Sequence, residues 1–412
     1  MRNRLVGKKA KEEGKKVGRR AGYSPGTTLV CRSPAPSFVT MISVAGAVGA
    51  ILGFPSAVRV WHKGAVNFSN LPRICPLLAA VLLFAPADLS AAQLEVLEVR
   101  GVKLKSNPLG DPAARRVAVF VPDGMKNNTP LPLVIYLPGW GGSSEDMIAQ
   151  GRGSWLGRVV DHFASAGLAL RIAVVDGRSR YGGSQFLNSA ATGDYADYVA
   201  DEATPAVEAR YPVAKEAAFP RIIAGHSSGG YGALMLAMSR HAQFAAVVAL
   251  SPDSDFEVTH KPIVTQPSVR AVTAGELEAA MAIGEKARQP SDGLARMVMG
   301  LCANYAPTAG KPGRFEWLYD ARGGWRAEAW QRWLDVDPLH VVRKRADAFA
   351  PAQRIYLDGA EHDEFGANIG ARKIHEVLRE RKSPVTFYES PGHHSDRMPE
   401  RLVRGLAWVM GK

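Results

Sequence analysis

Eight short apolar segments, most of them separated by stretches with helical periodicity, constrain the fold more than any other feature of this chain. All eight lie after Gln93, and several are apolar almost throughout, which is typical of strands in a sheet that is covered on both faces. The alternation predicts an α/β fold with a mostly parallel central sheet and helices on both faces. The segments are LEVLEV, RRVAVFVP, LPLVIYLPG, LRIAVVDG, RIIAGHS, FAAVVALSP, RIYLDG and PVTFYES.

The spacing of apolar residues predicts helices between and after these strands. In DYADYVADEATPAVEARY the apolar and aromatic residues form one stripe at helical spacing, although Pro205 is expected to kink the helix. RLVRGLAWVM, near the end of the chain, has the same periodicity. Between Pro252 and Ala350 lie helix-like pieces rich in Gly, Pro and Trp. We interpret this region, about residues 255–340, as a helical insertion after the sixth predicted strand that could act as a lid.

The positive charge of the chain is concentrated in its first 92 residues. The net charge is +12, but residues 1–92 hold 13 Lys and Arg against 3 Asp and Glu, and residues 93–412 hold 38 against 36. A protein that binds nucleic acid through its folded part needs its excess of positive charge there. The distribution therefore predicts a basic leader over residues 1–92, a nearly neutral folded domain over residues 93–412, and no nucleic-acid partner.

The end of the leader has the pattern of a secretory signal peptide. In NLPRICPLLAAVLLFAPADLSAAQ, the basic Arg73 precedes an apolar run from Ile74 to Ala87 and the small residues Ser90-Ala91-Ala92. The pattern predicts cleavage near Ala92 and a secreted or periplasmic location. Because basic residues precede this signal, two alternatives stay open: a true start methionine further along the chain, or a disordered basic arm.

A membrane span and a disulfide are both disfavoured in the mature chain. The apolar run in the signal is about 14 residues, shorter than the roughly 20 that a membrane helix needs. Ser33 to Val58 is uncharged and long enough, but its Gly, Ser, Thr and Pro content argues against a stable span. Cys31 and Cys75 lie in the leader. Cys302 would therefore be alone in the mature chain, without a cysteine partner for a disulfide or a cysteine-rich metal site.

The segment RIIAGHSSGGYGALMLA places Ser227 between an apolar strand and a helix-like stretch. Gly225-His226-Ser227-Ser228-Gly229 matches the G-x-S-x-G elbow, which carries an exposed nucleophilic serine on a tight turn from strand to helix. Such a turn needs small neighbours, because the helix must approach the strand closely. Residues 229, 230 and 232 are all glycine. The context predicts that Ser227 is a nucleophile; a glycine-rich structural turn is the alternative.

A serine hydroxyl needs a base and a group that orients the base. In this type of elbow the chain order is Ser, then an acid, then His. RIYLDGAEHDEF ends a strand in an acidic loop that holds Asp358 and Asp363, and PVTFYESPGHHSDRM ends the next strand in His393 and His394. Both loops are expected at the carboxyl edge of the sheet, beside the elbow. The residues by themselves leave open which acid and which histidine act.

Other ionisable residues near these motifs have simpler interpretations. Asp253 and Asp255, which follow VVALSP, are weaker candidates for the acid and are interpreted as polar loop residues. His226 is interpreted as a packing residue, and His375 as part of an exposed helix surface. The chain contains no HExxH, no G-x-x-x-x-G-K-[ST] and no G-x-G-x-x-G that opens a helix, so we expect neither a metal nor a nucleotide cofactor.

Together these motifs resemble the putative esterase family of the α/β hydrolases, which includes esterase D (S-formylglutathione hydrolase), enterochelin and feruloyl esterases, and the antigen 85 mycolyltransferases. The resemblance covers about residues 115–410. The family's usual G-H-S-M-G-G is G-H-S-S-G-G here, and the insertion has no counterpart that we can place. The resemblance rests on LPLVIYLPGWGG, GGSQFLNSAATGDYADYVADEATPAVEARYP, RIIAGHSSGGYGAL, IYLDGAEHDEF and GHHSDR, in the family's order.

The resemblance implies an α/β-hydrolase catalytic domain over residues 93–412 and a role for each site residue. Ser227 would be the nucleophile, His394 the base and Asp363 the acid, with His393 and Asp358 as the alternatives. The backbone amides of Ser228 and Trp140 would form the oxyanion hole, and the ring of Trp140 could line an acyl or aryl pocket. The implied chemistry is acyl transfer to water, which requires no metal or cofactor.

Three functions are consistent with this interpretation. The first is an exported serine esterase that hydrolyses carboxylic or thio esters of small molecules or carbohydrates. The second is an acyltransferase that uses the same three residues. The third is a non-catalytic binding protein that has kept the hydrolase fold.

Overall fold

The computed structural model describes residues 92–282, 286–345 and 347–412. The predictions for the basic leader, the signal segment, the Ser33–Val58 stretch, Cys31 and Cys75 fall outside these residues. Within the described ranges, no helix combines the length and the apolar character needed to cross a membrane.

One large sheet contains all eight segments that the apolar pattern predicted as strands. Its strand order is β1-β2-β4-β3-β7-β8-β9-β10. The pairs β1–β2 and β2–β4 are antiparallel, and the remaining neighbours are parallel. The strands are β1 (Gln93–Val99), β2 (Arg115–Val121), β3 (Leu133–Leu137), β4 (Arg171–Val174), β7 (Arg221–His226), β8 (Ala246–Leu250), β9 (Arg354–Ala360) and β10 (Val385–Ser390). Two short strands, β5 (Asn188–Ser189) and β6 (Gly193–Asp194), pair separately.

Fourteen α-helical segments in the described residues surround or follow the strands. Before β8 these are α1 (Ser144–Gln150), α2 (Trp155–Ser165), α3 (Tyr195–Asp197), α4 (Thr204–Arg210) and α5 (Ser228–Ser239). Between β8 and β9 lie α6 (Phe256–Thr259), α7 (Lys261–Val264), α8 (Pro267–Arg270), α9 (Ala274–Met281), α10 (Gly293–Tyr305), α11 (Ala327–Asp335) and α12 (Pro338–Lys344). The last two are α13 (Ala367–Glu380) and α14 (Met398–Val409).

Alternate residues of the central strands are buried on opposite faces of the sheet. Along β3, Ile135 belongs to one core with α4, α5 and α13, and Val134 belongs to another with α2 and α14. Because side chains alternate across a strand, a strand that is buried on both faces must be apolar throughout. This explains the continuous apolar runs and confirms the predicted α/β class with a doubly covered, mostly parallel sheet.

The region between β8 and β9 forms an apolar cluster of its own. Trp317, Trp330 and Trp333 are buried there, and Tyr231 of α5 and Tyr181 belong to the same cluster. The Trp-rich segment that the sequence assigned to an insertion is thus helical, follows the sixth strand of the large sheet in chain order, and packs against α5.

The sequence predicts a kink at Pro205, and the structure has a change in helix type directly before this residue. A π-helical segment, Tyr198–Ala203, ends directly before α4, and Pro205 lies in the first turn of α4. The Thr204 hydroxyl donates to the Val199 carbonyl at 2.8 Å. Ala203 and Thr204 have helical dihedrals, so the π-helical segment continues into α4 without a break. Proline has no backbone N–H and its ring clashes with the preceding turn, and the change in helix type occurs at that turn.

Candidate active site

Ser227 occupies the sharp turn between β7, which ends at His226, and α5, which begins at Ser228. Its backbone has φ 57° and ψ −124°, a conformation that costs a residue with a side chain about 1–3 kcal/mol. The Ser227 side chain does not cap α5 and instead lines a cavity at the carboxyl edge of the sheet. A strained backbone thus presents the hydroxyl to the cavity.

Two glycines make this turn possible, because they let α5 approach the strands closely. A Cβ atom on Gly225 would lie 2.2 Å from the carbonyl oxygen of Gly229. A Cβ atom on Gly229 would lie 1.9 Å from the carbonyl oxygen of Leu137, at the end of β3. Any side chain at either position would therefore push the helix away and move Ser227.

His394 and Asp363, from the loops after β10 and β9, are hydrogen-bonded to each other. His394 Nδ1 lies 2.8 Å from Asp363 Oδ2, and the exposed fractions of the two side chains are 7% and 0%. An ionised carboxylate can only accept, so Nδ1 carries the proton and Nε2 of the neutral ring can accept one. His394 lines the same cavity as Ser227, and the ring of Phe365 packs edge-on against it at 4.8 Å.

The pKa of Asp363 lies below its ordinary value. Burial by itself raises this pKa, but hydrogen bonds from His394 and Ser251, the charge of a protonated His394 and the amide of Ala367 outweigh that effect. The carboxyl group therefore stays ionised and can orient the imidazole over the whole neutral pH range.

The structure separates the two histidines that the sequence left unresolved. The side chain of His393 is 65% exposed, and its Nδ1 donates to the carbonyl of His362 at 3.1 Å. His394 is buried against the cavity beside Ser227. The loop therefore directs two adjacent imidazoles to opposite environments.

The alternative acid, Asp358, lies within β9 and takes part in a different network. Its side chain is fully buried, accepts from Ser390 Oγ at 2.6 Å and from Arg401 Nε at 2.8 Å, and forms an ion pair with the same guanidinium. Arg401 Nη1 also donates to the carbonyl of His394 at 2.8 Å, and its Nη2 donates to Ser251 Oγ at 2.7 Å. The buried pair of Asp358 and Arg401 thus holds the backbone of the His394 loop in place.

His226 is a second residue that holds the backbone carbonyl of His394. Its Nε2 lies 2.9 Å from the carbonyl oxygen of His394, and the two rings are 4.6 Å apart. Burial first, and then repulsion from a charged His394, lower the pKa of His226 to about 3. The ring is therefore neutral with its proton on Nε2, because a carbonyl can only accept. The packing role predicted for His226 is accompanied by a hydrogen bond that the sequence did not indicate.

The two amides predicted as an oxyanion hole lie on loops that meet at Ser227. Ser228 is the first residue of α5, where backbone N–H groups have no intrahelical acceptor. Trp140 follows β3, and a Cβ atom on its neighbour Gly139 would lie 3.3 Å from Cβ of Ser227. The Gly141 N–H donates to the carbonyl of Gly182 at 3.1 Å, which holds this loop in place. The structure therefore brings the Trp140 loop and the start of α5 together at Ser227, and the oxyanion hole itself stays a prediction.

Asp253, a weaker acid candidate that was interpreted as a polar loop residue, also lies beside Ser227. Ser227 Oγ is 3.5 Å from its Oδ1, and Ser228 Oγ donates to its Oδ2 at 3.0 Å. Asp255, in contrast, forms an ion pair with Lys373. The signal that could have identified Asp253 is its position just after β8, the strand next to β7, at the edge where parallel α/β sheets bind ligands.

The cavity has a volume of about 380 Å³, and the insertion contributes one of its walls. Ile263, Met297 and Leu301, together with Trp140, make its apolar side. The ring of Trp140 lies against Gly182, Gly183 and Gly300, where any side chain would collide with it. Among the described residues, no group of three His, Cys, Asp or Glu side chains is arranged to hold a metal ion.

Comparison with known proteins shows which family and which solved structures this chain is similar to. A family model described as "Putative esterase" matches residues 112–399. A ferulic acid esterase of known structure is 16% identical, with a TM-score of 0.50 over 78% of this chain and 98% of that one. The fluorophosphonate-binding serine hydrolase F of Staphylococcus aureus is 16% identical, with a TM-score of 0.49 over 78% of this chain and 100% of that one. The S-formylglutathione hydrolase FrmB of the same organism is 17% identical, with a TM-score of 0.48 over the same shares.

No curated protein matches the chain in a sequence search. At 16% identity the likeness to the ferulic acid esterase concerns the fold alone, and it confirms the predicted α/β-hydrolase fold.

The buried ion pair beneath His394 generates a stability prediction. Asp358→Asn leaves the Arg401 charge, whose side chain is 1% exposed, without its carboxylate, and we expect the free energy of unfolding to fall by about 3–5 kcal/mol. Glu145→Gln removes an Arg–Glu pair whose side chains are 50% and 42% exposed, and should leave the free energy of unfolding almost unchanged because water screens exposed charges. Urea denaturation of both variants measures the difference; equal losses would contradict a supporting role for the buried pair.

Proposed function

The chain belongs to the putative esterase family of α/β hydrolases, a family of serine hydrolases that act on ester bonds, and from this premise we propose that it cleaves carboxylic or thio esters through Ser227, His394 and Asp363. The single observation that carries this proposal is the 2.8 Å hydrogen bond between His394 Nδ1 and Asp363 Oδ2 at the cavity that Ser227 also lines. That pairing leaves His394 Nε2 available as a general base.

In the acylation step, His394 Nε2 takes the proton of Ser227 as Oγ attacks the ester carbonyl. The bond between Oγ and the carbonyl carbon forms, and the carbonyl oxygen becomes an oxyanion beside the amides of Ser228 and Trp140. Asp363 keeps the imidazole in the required tautomer and stabilises it while it is charged. The bond to the leaving oxygen or sulfur then breaks, and His394 gives its proton to the departing alcohol or thiol.

Deacylation repeats these steps with water as the nucleophile. His394 removes a proton from a water molecule, hydroxide adds to the acyl carbon, and the second oxyanion uses the same two amides. When the intermediate collapses, Ser227 leaves, recovers its proton from His394, and the acid product is released. The carbonyl of His394, fixed by His226 and Arg401, keeps the imidazole in position through both steps.

We also propose that the enzyme is exported and that residues 93–412 form its mature catalytic domain. The support is the signal pattern of Arg73, the apolar run to Ala87 and the small residues that end at Ala92.

Substitution of the three residues tests the proposed chemistry. On p-nitrophenyl esters, we expect Ser227→Ala to lower kcat by about 10⁴- to 10⁶-fold and Asp363→Asn by about 10⁴-fold, because each removes a member of one proton-transfer unit. Ser227→Ala should also lose labelling by a fluorophosphonate probe. His394→Asn should be inactive, whereas the matched control His393→Asn should stay within about threefold of the wild type. Activity retained in Ser227→Ala, or lost in His393→Asn and kept in His394→Asn, would disprove these assignments.

The pH dependence of kcat/KM should report a single ionisation on its acid side. The pKa of Asp363 is lowered from 3.8, so its carboxylate stays charged until the pH falls below that value, and His226, with a pKa of about 3, stays neutral over the same range. Neither Asp363 nor His226 then changes its charge between about pH 8 and pH 5, and the mechanism requires one neutral base. A plot of log kcat/KM against pH should have a limiting slope of one, and a slope of two would show that a second group must lose a proton.

Processing of the full chain tests export. Expressed with a C-terminal tag in a secreting bacterial host, the chain should yield a mature protein outside the cytoplasm whose first residue is Gln93, as identified by mass spectrometry. Ala92→Arg, which removes the small residue at the cleavage site, should block this processing. Recovery of an unprocessed chain from the cytoplasm in both cases would refute the proposal.

A further inference from the structure

A polar corner of the cavity, made by Asp253 and His260, has hydrogen-bonding capacity that the proposed mechanism does not use. Asp253 follows β8, and His260 lies between α6 and α7 in the insertion. Both line the cavity that contains Ser227. His260 Nε2 and Asp253 Oδ2 are 3.9 Å apart, which is too far for a hydrogen bond.

The carboxylate of Asp253 is held through one of its oxygens and leaves the other available. Its Oδ2 accepts from Ser228 Oγ at 3.0 Å and from Gln185 Nε2 at 3.2 Å. Within the described part of the chain, the contact of Oδ1 is the Ser227 hydroxyl at 3.5 Å, the outer limit of a hydrogen bond. That hydroxyl must turn to His394 for the reaction. Oδ1 can therefore accept hydrogen bonds from a bound molecule next to the nucleophile.

His260 is buried with both ring nitrogens unpartnered. The residue is 4% exposed, and its ring stacks on Phe256 at 4.3 Å and meets Trp333 edge-on at 5.9 Å. By distance and angle, neither Nδ1 nor Nε2 makes a good hydrogen bond to the described residues. Burial lowers the pKa of His260, although the nearby Asp253 and Asp337 carboxylates and the backbone of Thr259 oppose the effect. A neutral ring has one donor and one acceptor, and leaving them unpaired in an apolar cluster is costly unless a ligand group pairs with them.

The charge of the cavity restricts what that ligand group can be. Asp253 is an acidic side chain among the cavity-lining residues, and these include no Lys or Arg in the described structure. A carboxylate on a substrate would be repelled by Asp253 and would find no cation. An uncompensated Asp253 would also disfavour the oxyanion that forms nearby, and a hydrogen-bond donor on the substrate would offset that repulsion.

The distance between Asp253 and Ser227 limits where on the substrate the donor can be. Oδ1 is 3.5 Å from the attacking Oγ, and a donor atom lies about 3 Å from its acceptor. The donor atom is therefore within about 6.5 Å of Ser227 Oγ, which corresponds to the first few atoms beyond the scissile carbonyl. The apolar side of the cavity, with Ile263, Met297 and Leu301, accommodates the carbon chain around it.

We propose that Asp253 and His260 form a specificity site that selects esters with a hydroxyl or amino group close to the scissile carbonyl and rejects esters with a carboxylate there. This inference rests on the proposed esterase function and names its substrate class. A site that is built to hydrogen-bond a substrate group discriminates strongly against analogues without it, because its own polar groups are then left unpaired.

Four p-nitrophenyl esters of similar size test the proposal: the butyrate, the 3-hydroxybutyrate, the 3-aminobutyrate and the succinate monoester. With the wild-type enzyme we expect kcat/KM for the hydroxy and amino esters to exceed that for the butyrate by about 10- to 100-fold, as one charge-assisted hydrogen bond permits. The succinate should be at least about tenfold worse than the butyrate. Preference for the amino ester alone would identify charge, rather than hydrogen bonding, as the feature that is recognised.

Asp253→Asn is the decisive variant, because it removes the charge while keeping the size of the side chain. We expect the hydroxy-to-butyrate and amino-to-butyrate ratios to fall to within about threefold of one, and the succinate to gain about tenfold relative to the butyrate. Asp255→Asn is the matched control: it removes a carboxylate two residues away that pairs with Lys373, and asparagine tolerates its positive φ of 54°. Its substrate ratios should equal those of the wild type.

The outcomes separate this inference from the function on which it rests. If Ser227→Ala hydrolyses these esters as well as the wild type does, the proposed function fails. If hydrolysis depends on Ser227 but the wild type favours the succinate, or Asp253→Asn keeps the wild-type ratios, only the specificity site is refuted. Thermal unfolding shows whether Asp253→Asn is folded. If it is not, the ranking of kcat/KM for the four esters with the wild-type enzyme tests the specificity site by itself.

Discussion

The close contact of helix α5 with strands β7 and β3 is the constraint on which the site depends. Because only glycine fits at positions 225 and 229, the backbones approach closely, and the chain must turn within one residue, Ser227. The positive φ of that residue is unfavourable on its own. The apolar cores on the two faces of the sheet hold the helix against the strands and so maintain the turn. Ser227 is thus positioned by packing rather than by local preference.

His394 is positioned by electrostatic interactions and hydrogen bonds. His394 lies on a loop after β10, an edge strand of the sheet, and a loop there would be mobile without support. Arg401, buried with Asp358, donates to the His394 carbonyl, and His226 reaches the same oxygen from the nucleophile's own strand. The loop is therefore fixed to β7, β9 and α14 at once. Burial of an ion pair costs desolvation free energy and therefore adds little net stability. The several hydrogen bonds of this pair nevertheless specify one conformation of the loop.

The cavity is assembled from two parts of this chain. The elbow, the acid loop and the histidine loop belong to the sheet and match the family's motifs, whereas His260, Ile263, Met297 and Leu301 come from the insertion. The insertion packs through its tryptophan-rich cluster on α5, the helix that begins at the nucleophile. Changes in the insertion can therefore alter the cavity without altering the elbow, which is a general way in which one fold serves many substrates.

Sequence alone determined the strands of the large sheet and the strand–turn–helix elbow at Ser227, because apolar periodicity and glycine spacing are local properties. The resemblance to the family favoured Asp363 and His394, and the tertiary structure placed each of them in surroundings different from those of Asp358 and His393. Asp358 lies within β9 and points at Arg401, 43 residues away, and adjacent loop histidines look alike until distant segments bury one of them. The sequence did not indicate the polar corner at Asp253 and His260 for the same reason. The burial of His260 arises from contacts between segments that are far apart in the chain, and no local pattern reports such contacts.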